Sequence, residues 1–560
     1  MSIHILLDEV IDTFTKMLRE NPYERGLNND QVNERIQHKK ILRKALRTCV
    51  YGDKQAKMYV KDMIKDILIK QCKINEENIF DYIPFHNSNL LSAEDKFQIL
   101  LFVYEKQYNI FALERFITEY NLDMPKEDKE GNYYYEITEE EITDVYDRYG
   151  GLILSFHDQL TLLSQKIYER YKGNGVIDSI RDMKIDGISA GVSGIPEGFG
   201  LDNFFNTKTL PASYDSIWIF YKGKSIHLSF MGFHSYKELI RVCRNIYRYD
   251  NPEQLTEQKG YLVAEAKDGA RIAVARPPFC ESWVFFIRKF DMVLQEDITN
   301  LITDLNYNLP IEVIKWLIKG CQVIAITGEQ GSGKTTLLMS FIRFIHPSYN
   351  LRIQELSFEL HLRKIYPRRN IVTFRETDTI SGRESLDFQK KSDGTVSILG
   401  EVTTNEVCCW LISMSQVASL FTLFTHHAKT TDNLVIAMRN ALLMEGGFQN
   451  ETIAEEQVVE AINFDIHMKK TKEGHRYIER ITEIVPIKEE YQKVYHTQKN
   501  GSKKSFCTRD IIRFEENQYV WVQDISKEGY KRMKEHWNKE EVEEYQQTSR
   551  KWRNYEWCKR

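Results

Sequence analysis

The chain has little proline, no C-x-x-C pair, no basic excess and no apolar run long enough to cross a bilayer. Each shortage removes a class of explanation. Only 12 prolines in 560 residues, against 12% aromatics, argue against long disordered linkers. The nine cysteines are scattered and odd in number, and Cys408 and Cys409 are adjacent and poorly placed to bridge each other. That is the usage of a reduced, cytosolic chain. A formal net charge of −5 withdraws support for bulk nucleic-acid binding and leaves room only for a local basic patch. The opening "MSIHILLDEVIDTF" puts Asp8 and Glu9 inside its first apolar run without a basic lead, which makes a poor signal peptide. The longest greasy tract, Cys408 to Phe424, is broken by serines, a glutamine and a threonine, so any membrane association is expected to be peripheral.

What is present has a globular balance, 42% hydrophobic and 28% charged, in a chain long enough for three or four domains. Residues 1–175 carry apolar residues at helical spacing between long charged side chains, as in "KKILRKALRTCVYGDKQAKMYVKDMIKDILIKQC", and predict a helical N-terminal region. Residues 176–297 mix strands and helix. "SIWIFYKGKSIHLSF" reads as two strands around Lys222-Gly223-Lys224, "SYKELIRVCRNIYRY" as an amphipathic helix, and the runs flanking Pro277-Pro278 as short strands, giving a compact α+β domain. Over residues 298–486, strands "CQVIAITG", "NIVTF", "TVSILGEV" and "SLFTLFTHHA" alternate with helices such as "NLPIEVIKWLIKG", "KTTLLMSFIRFIH" and "NEVCCWLISMSQ". That alternation predicts a parallel α/β sheet. Residues 487–560 form a smaller C-terminal region of two strands, "SFCTRDIIRF" and "QYVWVQDI", and a charged helix from Glu528 to Trp557.

The chemistry begins at "ITGEQGSGKTT". Gly328-x-x-x-x-Gly333-Lys334-Thr335 matches the P-loop pattern, with a strand before it and a helix after. Glycines let the backbone wrap a phosphate and point N–H groups at it, and the helix N-terminus adds positive charge. Lys334 is expected to reach the β and γ oxygens and Thr335 to offer a hydroxyl to Mg²⁺; Gly328, Gln330, Gly331, Ser332, Gly333, Lys334, Thr335 and Thr336 are the nucleotide-binding candidates. Hydrolysis also needs a carboxylate near the metal and one that orients water. Glu401 closes the buried run "TVSILGEV" and is the candidate Walker B acid, so the metal ligands expected are Thr335 and Glu401. Glu355 and Glu359 in "RIQELSFEL" are four apart, which on a helix places them on one face and by itself describes a solvated face. His426 and His427 end a strand and point opposite ways; by spacing alone such a histidine is more often a satisfied polar core residue than a functional one. Arg363, Arg368, Arg369, Arg375 and Arg383 make a basic run that either supplies an arginine finger to a neighbouring subunit or pairs on the surface with Glu376 and Glu384.

In this order the pieces resemble the type II/type IV secretion ATPase superfamily, and within it the CpaF-like branch of tight-adherence (Flp-type) pili. The likeness runs from about Gly173 to Lys470. "GNGVIDSIRDMKIDGISAG" is similar to the family's N-terminal entry, and "DGARIAVARPPF" and "FFIRKF" to its "DGSRV…PP" and "TIRKF" segments. "RIQELSFEL" stands where the family has its Asp box, "GEV" where it has Walker B, "FTHHAKT" where it has the His box, and "GHRYIERITEIV" resembles the strand pair that follows. The resemblance implies a RecA-like ATPase core that uses ATP and Mg²⁺. It implies Glu359 as the water-orienting base, Glu401 as the Walker B acid and His427 as a γ-phosphate or interface sensor. It also implies a homohexamer with ATP between the α+β and RecA-like domains, and an inner-membrane platform protein of a pilus or secretion system as partner, with no nucleic acid. Leu356, Thr403 and Lys429 depart from the family's aspartate, arginine and asparagine, Ala418 to Thr422 replace its "GHDGS", and Glu329 and Gln330 are unusual in the P-loop. The function expected is ATP hydrolysis that drives pilus assembly or secretion at the inner face of the cytoplasmic membrane. The alternative is a nucleotide-binding but slow scaffold subunit.

Overall fold

The helical periodicity at the start of the chain becomes helices Ile3–Arg19, Asn29–Thr48 and Lys54–Lys70. The apolar faces of the first and third meet helix Phe156–Tyr171 around Val10, Phe14, Val60, Ile64, Leu163 and Ile167, and the second packs against the third. Side chains start these helices by answering otherwise unpaired N–H groups. Asn28 forms a capping box with Gln31, Asp53 accepts from the Ala56 N–H, and Ser155 forms a box with Asp158. These observations come from a computed structural model that describes residues 3–21, 23, 28–128, 130–149, 154–196, 211–249, 251, 253–289, 298–356, 358–377, 380–417, 419–472, 474–487 and 505–553. Met1, Ser2, Phe290, Ala418 and residues 554–557 of the expected C-terminal helix lie outside that set. The chain divides into two units, Met1–Asp291 and Met292–Arg560.

The first unit also holds a seven-stranded sheet in the spatial order Glu136–Ile137, Lys224–Leu228, Ile217–Tyr221, Gly187–Ala190, Val284–Arg288, Arg271–Ala275, Tyr261–Glu265. The first pair is parallel and the rest are antiparallel. Alternating burial along Ile217–Tyr221 and Arg271–Ala275 leaves one face for a core, and helix Tyr236–Ile246 buries Leu239, Val242, Cys243 and Ile246 in it. Lys222 and Gly223 both take positive φ, +47° and +78°, the twist a two-residue hairpin requires.

The second unit is built on one nine-stranded sheet. Its strands are β1 Ile324–Gly328, β2 Leu351–Glu355, β3 Ile371–Arg375, β4 Val396–Leu399, β5 Phe421–His426, β6 Phe464–Lys470, β7 Arg476–Pro486, β8 Phe506–Glu515 and β9 Gln518–Trp521. The spatial order is β3-β2-β4-β5-β1-β6-β7-β8-β9. The first six are parallel; β6 to β9 then run as an antiparallel meander. Strands β1, β2 and β4 are buried at every position, as parallel strands covered on both faces must be. The α/β, RecA-like core expected from the sequence is thus present, with an α+β layer and N-terminal helices in the first unit. The greasy tract Cys408–Phe424 is divided between helix Asn405–Val417 and β5. Among the described residues no helix is long and apolar enough to cross a membrane.

Two local expectations are corrected. Glu355 and Glu359 do not share a helix face: Glu355 is the last residue of β2 and Glu359 lies in the following loop. β-branched Ile353 and its neighbours pair between β3 and β4, and that ladder decides the conformation over the spacing of the acids. The C-terminal charged helix is two, Lys527–Lys534 and Lys539–Arg553, because Trp537 turns inward. Its ring packs 5.2 Å from Trp316 of helix Asn308–Lys319, with Tyr545 5.5 Å from Trp316. Trp316 is fully buried, so Trp316→Ala is expected to cost about 3–5 kcal/mol of unfolding free energy. Denaturant titration measures this, and a loss under about 1 kcal/mol would mean the cluster does not hold the C-terminal helices.

Candidate nucleotide site

The carboxyl ends of β1, β2, β4 and β5 face one edge of the sheet, where an open α/β sheet places its ligands. At the end of β1, Gly328 has φ +139°, and a Cβ there would stand 2.2 Å from the Met468 carbonyl oxygen of β6. Only glycine allows this approach. Gly331 and Gly333 also hold positive φ, +76° and +97°, and Gly333 caps helix Lys334–Phe341. The loop closes on itself: the Ser332 hydroxyl donates to the Glu329 carbonyl at 2.8 Å. Around a Cβ built on Gly331 there is no atom within 4 Å, so the loop leaves space on that side. Glu329, Gln330 and Thr336 are exposed, and Thr335 is half-buried at the helix start.

Lys334 is buried, and its ammonium donates to the carbonyls of Gly328 at 3.0 Å and Glu329 at 2.9 Å. Burial lowers its pKa, and the Glu401 charge pulls it partly back. The same ammonium stands 3.4 Å from His427 Nδ1, while His427 Nε2 is 2.8 Å from Glu401 Oε1. An ammonium can only donate, so Nδ1 takes the acceptor role and Nε2–H donates to Glu401. Lys334, His427 and Glu401 thus form one chain across three elements. His426 points elsewhere, its Nδ1 2.8 Å from the Val402 carbonyl, with its pKa lowered by burial. It ties the Glu401 turn to β5 together with the Val402 N–H bond to the Thr425 carbonyl and the Thr425 hydroxyl bond to the Gly400 carbonyl.

Glu355 and Glu359 are placed differently. Glu355 is buried, and its Oε1 accepts from the N–H groups of Glu359 at 3.0 Å and Leu360 at 2.8 Å. Gly400 packs against it: a Cβ on Gly400 would lie 3.1 Å from Glu355 Cγ. Glu355 therefore shapes the loop that carries the half-buried Glu359 and abuts the turn that carries Glu401. Leu356, Thr403 and Lys429, the departures from the family pattern, are all exposed. Of the basic run, Arg369 donates to the Ile345 and His346 carbonyls, Arg375 lies over the Phe358 ring, and Glu384 closes a capping box with Ser381.

Sequence reading missed a network directly under the P-loop. Asp465 of β6 is fully buried and accepts hydroxyl bonds from Thr327 of β1 at 2.6 Å and from Thr431 at 2.7 Å. Thr327 Oγ1 in turn accepts from His467 Nδ1 at 2.8 Å. Burial pushes the Asp465 carboxyl up; burial and the nearby Arg480 hold His467 down at about 4. The signal available was the alternation in "NFDIHMKK", which sets an acid and an imidazole two apart on one face of an otherwise apolar strand.

Strand order, glycine-rich loop and convergent lysine, histidine and carboxylate define a P-loop site of the α/β class. No family model and no curated protein matches the chain. Several solved structures are similar to it. The VirB11 ATPase of the Brucella suis type IV secretion system, in complex with sulphate, is 16% identical with a TM-score of 0.28 and covers 53% of this chain and 89% of its own. The Legionella pneumophila ATPase DotB is 14% identical with a TM-score of 0.38, covering 55% of this chain and 79% of its own. The pilus retraction motor PilT, with bound ADP, is 14% identical with a TM-score of 0.38, covering 65% of this chain and 86% of its own. At these identities and TM-scores they stand as likenesses, and the chemistry is carried by the residues above.

The buried network generates a pH prediction. Unfolded histidine takes up a proton below about pH 6.5, whereas folded His467 refuses one until about 4. Between those values the unfolded state binds the extra proton, so the contribution of His467 is intact above about pH 6.5 and is lost as pH falls towards 4. The difference in unfolding free energy between wild type and His467→Gln is expected to shrink by up to about 3 kcal/mol over that window in urea titrations. A constant difference would show that His467 is not held neutral.

Proposed function

We propose that this chain is a Mg²⁺-dependent ATPase, a motor subunit of the type II/type IV secretion and pilus-assembly kind, CpaF-like in its sequence. In this reading it works as a homohexamer at the inner face of the cytoplasmic membrane and acts on an integral platform protein. The observation that carries the reading is the chain Lys334–His427–Glu401 beside the P-loop, which links the phosphate-binding ammonium to the candidate metal acid through one imidazole.

The residues fit the ligands proposed. The backbone of Gly328 to Thr336, open at Gly331 and ending in a helix N-terminus, suits a triphosphate. Among the described residues no cluster of three or more metal-ligating side chains occurs. Mg²⁺ at phosphate sites takes one or two protein oxygens and completes its shell with water and phosphate, which matches Thr335 and Glu401. When bound, the ion would neutralise charge on the β and γ oxygens. With a triphosphate bound, Lys334 would offer its ammonium to phosphate oxygens in place of the Gly328 and Glu329 carbonyls, and His427 would have to take a second proton, on Nδ1, to donate to a terminal phosphate oxygen while Nε2–H stays on Glu401. Glu359 orients the attacking water, held in place by the loop that Glu355 organises.

A slow, nucleotide-binding scaffold is the second reading, favoured by exposed Leu356 and Thr403 where the family carries an acid and an arginine. Steady-state hydrolysis of Mg²⁺-ATP across a protein concentration series separates the two. The motor reading expects turnover that rises with assembly and falls about a hundredfold or more in Lys334→Ala and in Glu359→Gln. Tight ATP binding without turnover, unchanged in Glu359→Gln at concentrations that form rings, sinks the motor reading.

A further inference from the structure

The net charge of the chain is negative, yet one concave face of the first unit gathers cations. Helix Asn29–Thr48 carries Lys40, Arg43, Lys44 and Arg47 at i, i+3, i+4 and i+7, so they project from one face, and all four are exposed. They border a pocket of about 610 Å³ whose other side is supplied by Arg248, just beyond helix Tyr236–Ile246. Tyr51 and Tyr249 also line it, their ring centroids 6.0 Å apart. Burial raises the Tyr51 hydroxyl pKa while the charges of Arg248 and Arg47 pull it back.

Among the described residues no carboxylate lines this pocket, and none of the five cations makes an ion pair. Elsewhere in the same unit Lys57, Lys106, Lys126 and Lys224 each sit on a carboxylate. Lys40 with Lys44, and Arg43 with Arg47, are like-charge pairs one helical turn apart, an arrangement that disfavours the helix unless an anion answers it. Guanidiniums present fork geometry that suits phosphate oxygens, the tyrosines add ring faces and hydroxyls, and the volume is that of a small-molecule site.

We propose that this pocket binds a multiply charged phosphate group, independently of the P-loop. A soluble polyphosphate or nucleotide and a phospholipid headgroup share that chemistry. The test uses the full-length chain carrying Lys334→Ala, so that the P-loop does not contribute. Inorganic tripolyphosphate is titrated calorimetrically, and sedimentation is measured with phosphatidylcholine vesicles with and without phosphatidic acid. Binding of at least one probe is expected, weakened by about tenfold or more when Arg43→Gln, Arg47→Gln and Arg248→Gln are added. Tripolyphosphate alone identifies a soluble ligand; sedimentation only with phosphatidic acid identifies a headgroup. All three arginines are exposed, and the triple variant is expected to keep its thermal midpoint while losing the rise that the probe gives its parent. Failure of both probes to bind, or equal binding by the triple variant, overturns the proposal.

Discussion

One buried carboxylate holds the nucleotide site together. Asp465 has no solvent, and two hydroxyl donors, Thr327 and Thr431, hold its carboxylate. Thr327 immediately precedes the P-loop, and Thr431 opens the helix that follows the His box. A desolvated acid is costly unless its hydrogen bonds are made. The network is therefore stable only when P-loop strand, His-box segment and β6 stand in one register. His467 completes it by donating to the same threonine. The geometry of the Lys334–His427–Glu401 chain rests on this arrangement, since His427 lies on the segment that Thr431 anchors.

Of the three linked groups only the lysine is dry: His427 is exposed and Glu401 half-buried. Lys334 is buried and already spends its donors on two carbonyls of its own loop. Those neutral acceptors are weaker than phosphate oxygens, so exchange towards an anion is favoured. Glu355, beneath the turn that carries Glu401, uses one oxygen to fix two backbone N–H groups of the loop bearing Glu359. The two acids then have separate duties, one internal and one at the edge.

Some of this was legible in the sequence. The P-loop was, because only glycine meets the backbone demands at Gly328, Gly331 and Gly333, and because an apolar run and a helical run flank it. Glu401 and His427 were readable from the resemblance, which put an acid and a histidine after successive apolar strands; their contact across β4 and β5 was not, since spacing in the chain says nothing about which strands adjoin. Glu355 was misjudged. Four-residue spacing suggested a solvated helix face, whereas pairing of β2 between β3 and β4 put the residue inside. Asp465 and His467 went unnoticed because a polar residue in a strand is ordinarily assigned to the solvent face, and β6 has none at that depth. The break in the expected C-terminal helix was similarly decided by a tertiary contact, Trp537 on Trp316, that no local pattern announces.

The sheet of the second unit passes without a break from the parallel strands through β6 into the C-terminal meander. Every strand from β3 to β9 is laced to its neighbour by backbone hydrogen bonds, and the aromatic cluster of Trp316, Trp537 and Tyr545 is fastened to the same body. Mechanically this is a single stiff plate. Strands β8 and β9 cannot hinge against the P-loop strand without tearing a ladder, so the far edge moves with the strand that carries the phosphate loop. At the carboxyl rim of that plate lie the Glu359 loop, the Glu401 turn and the His427 segment.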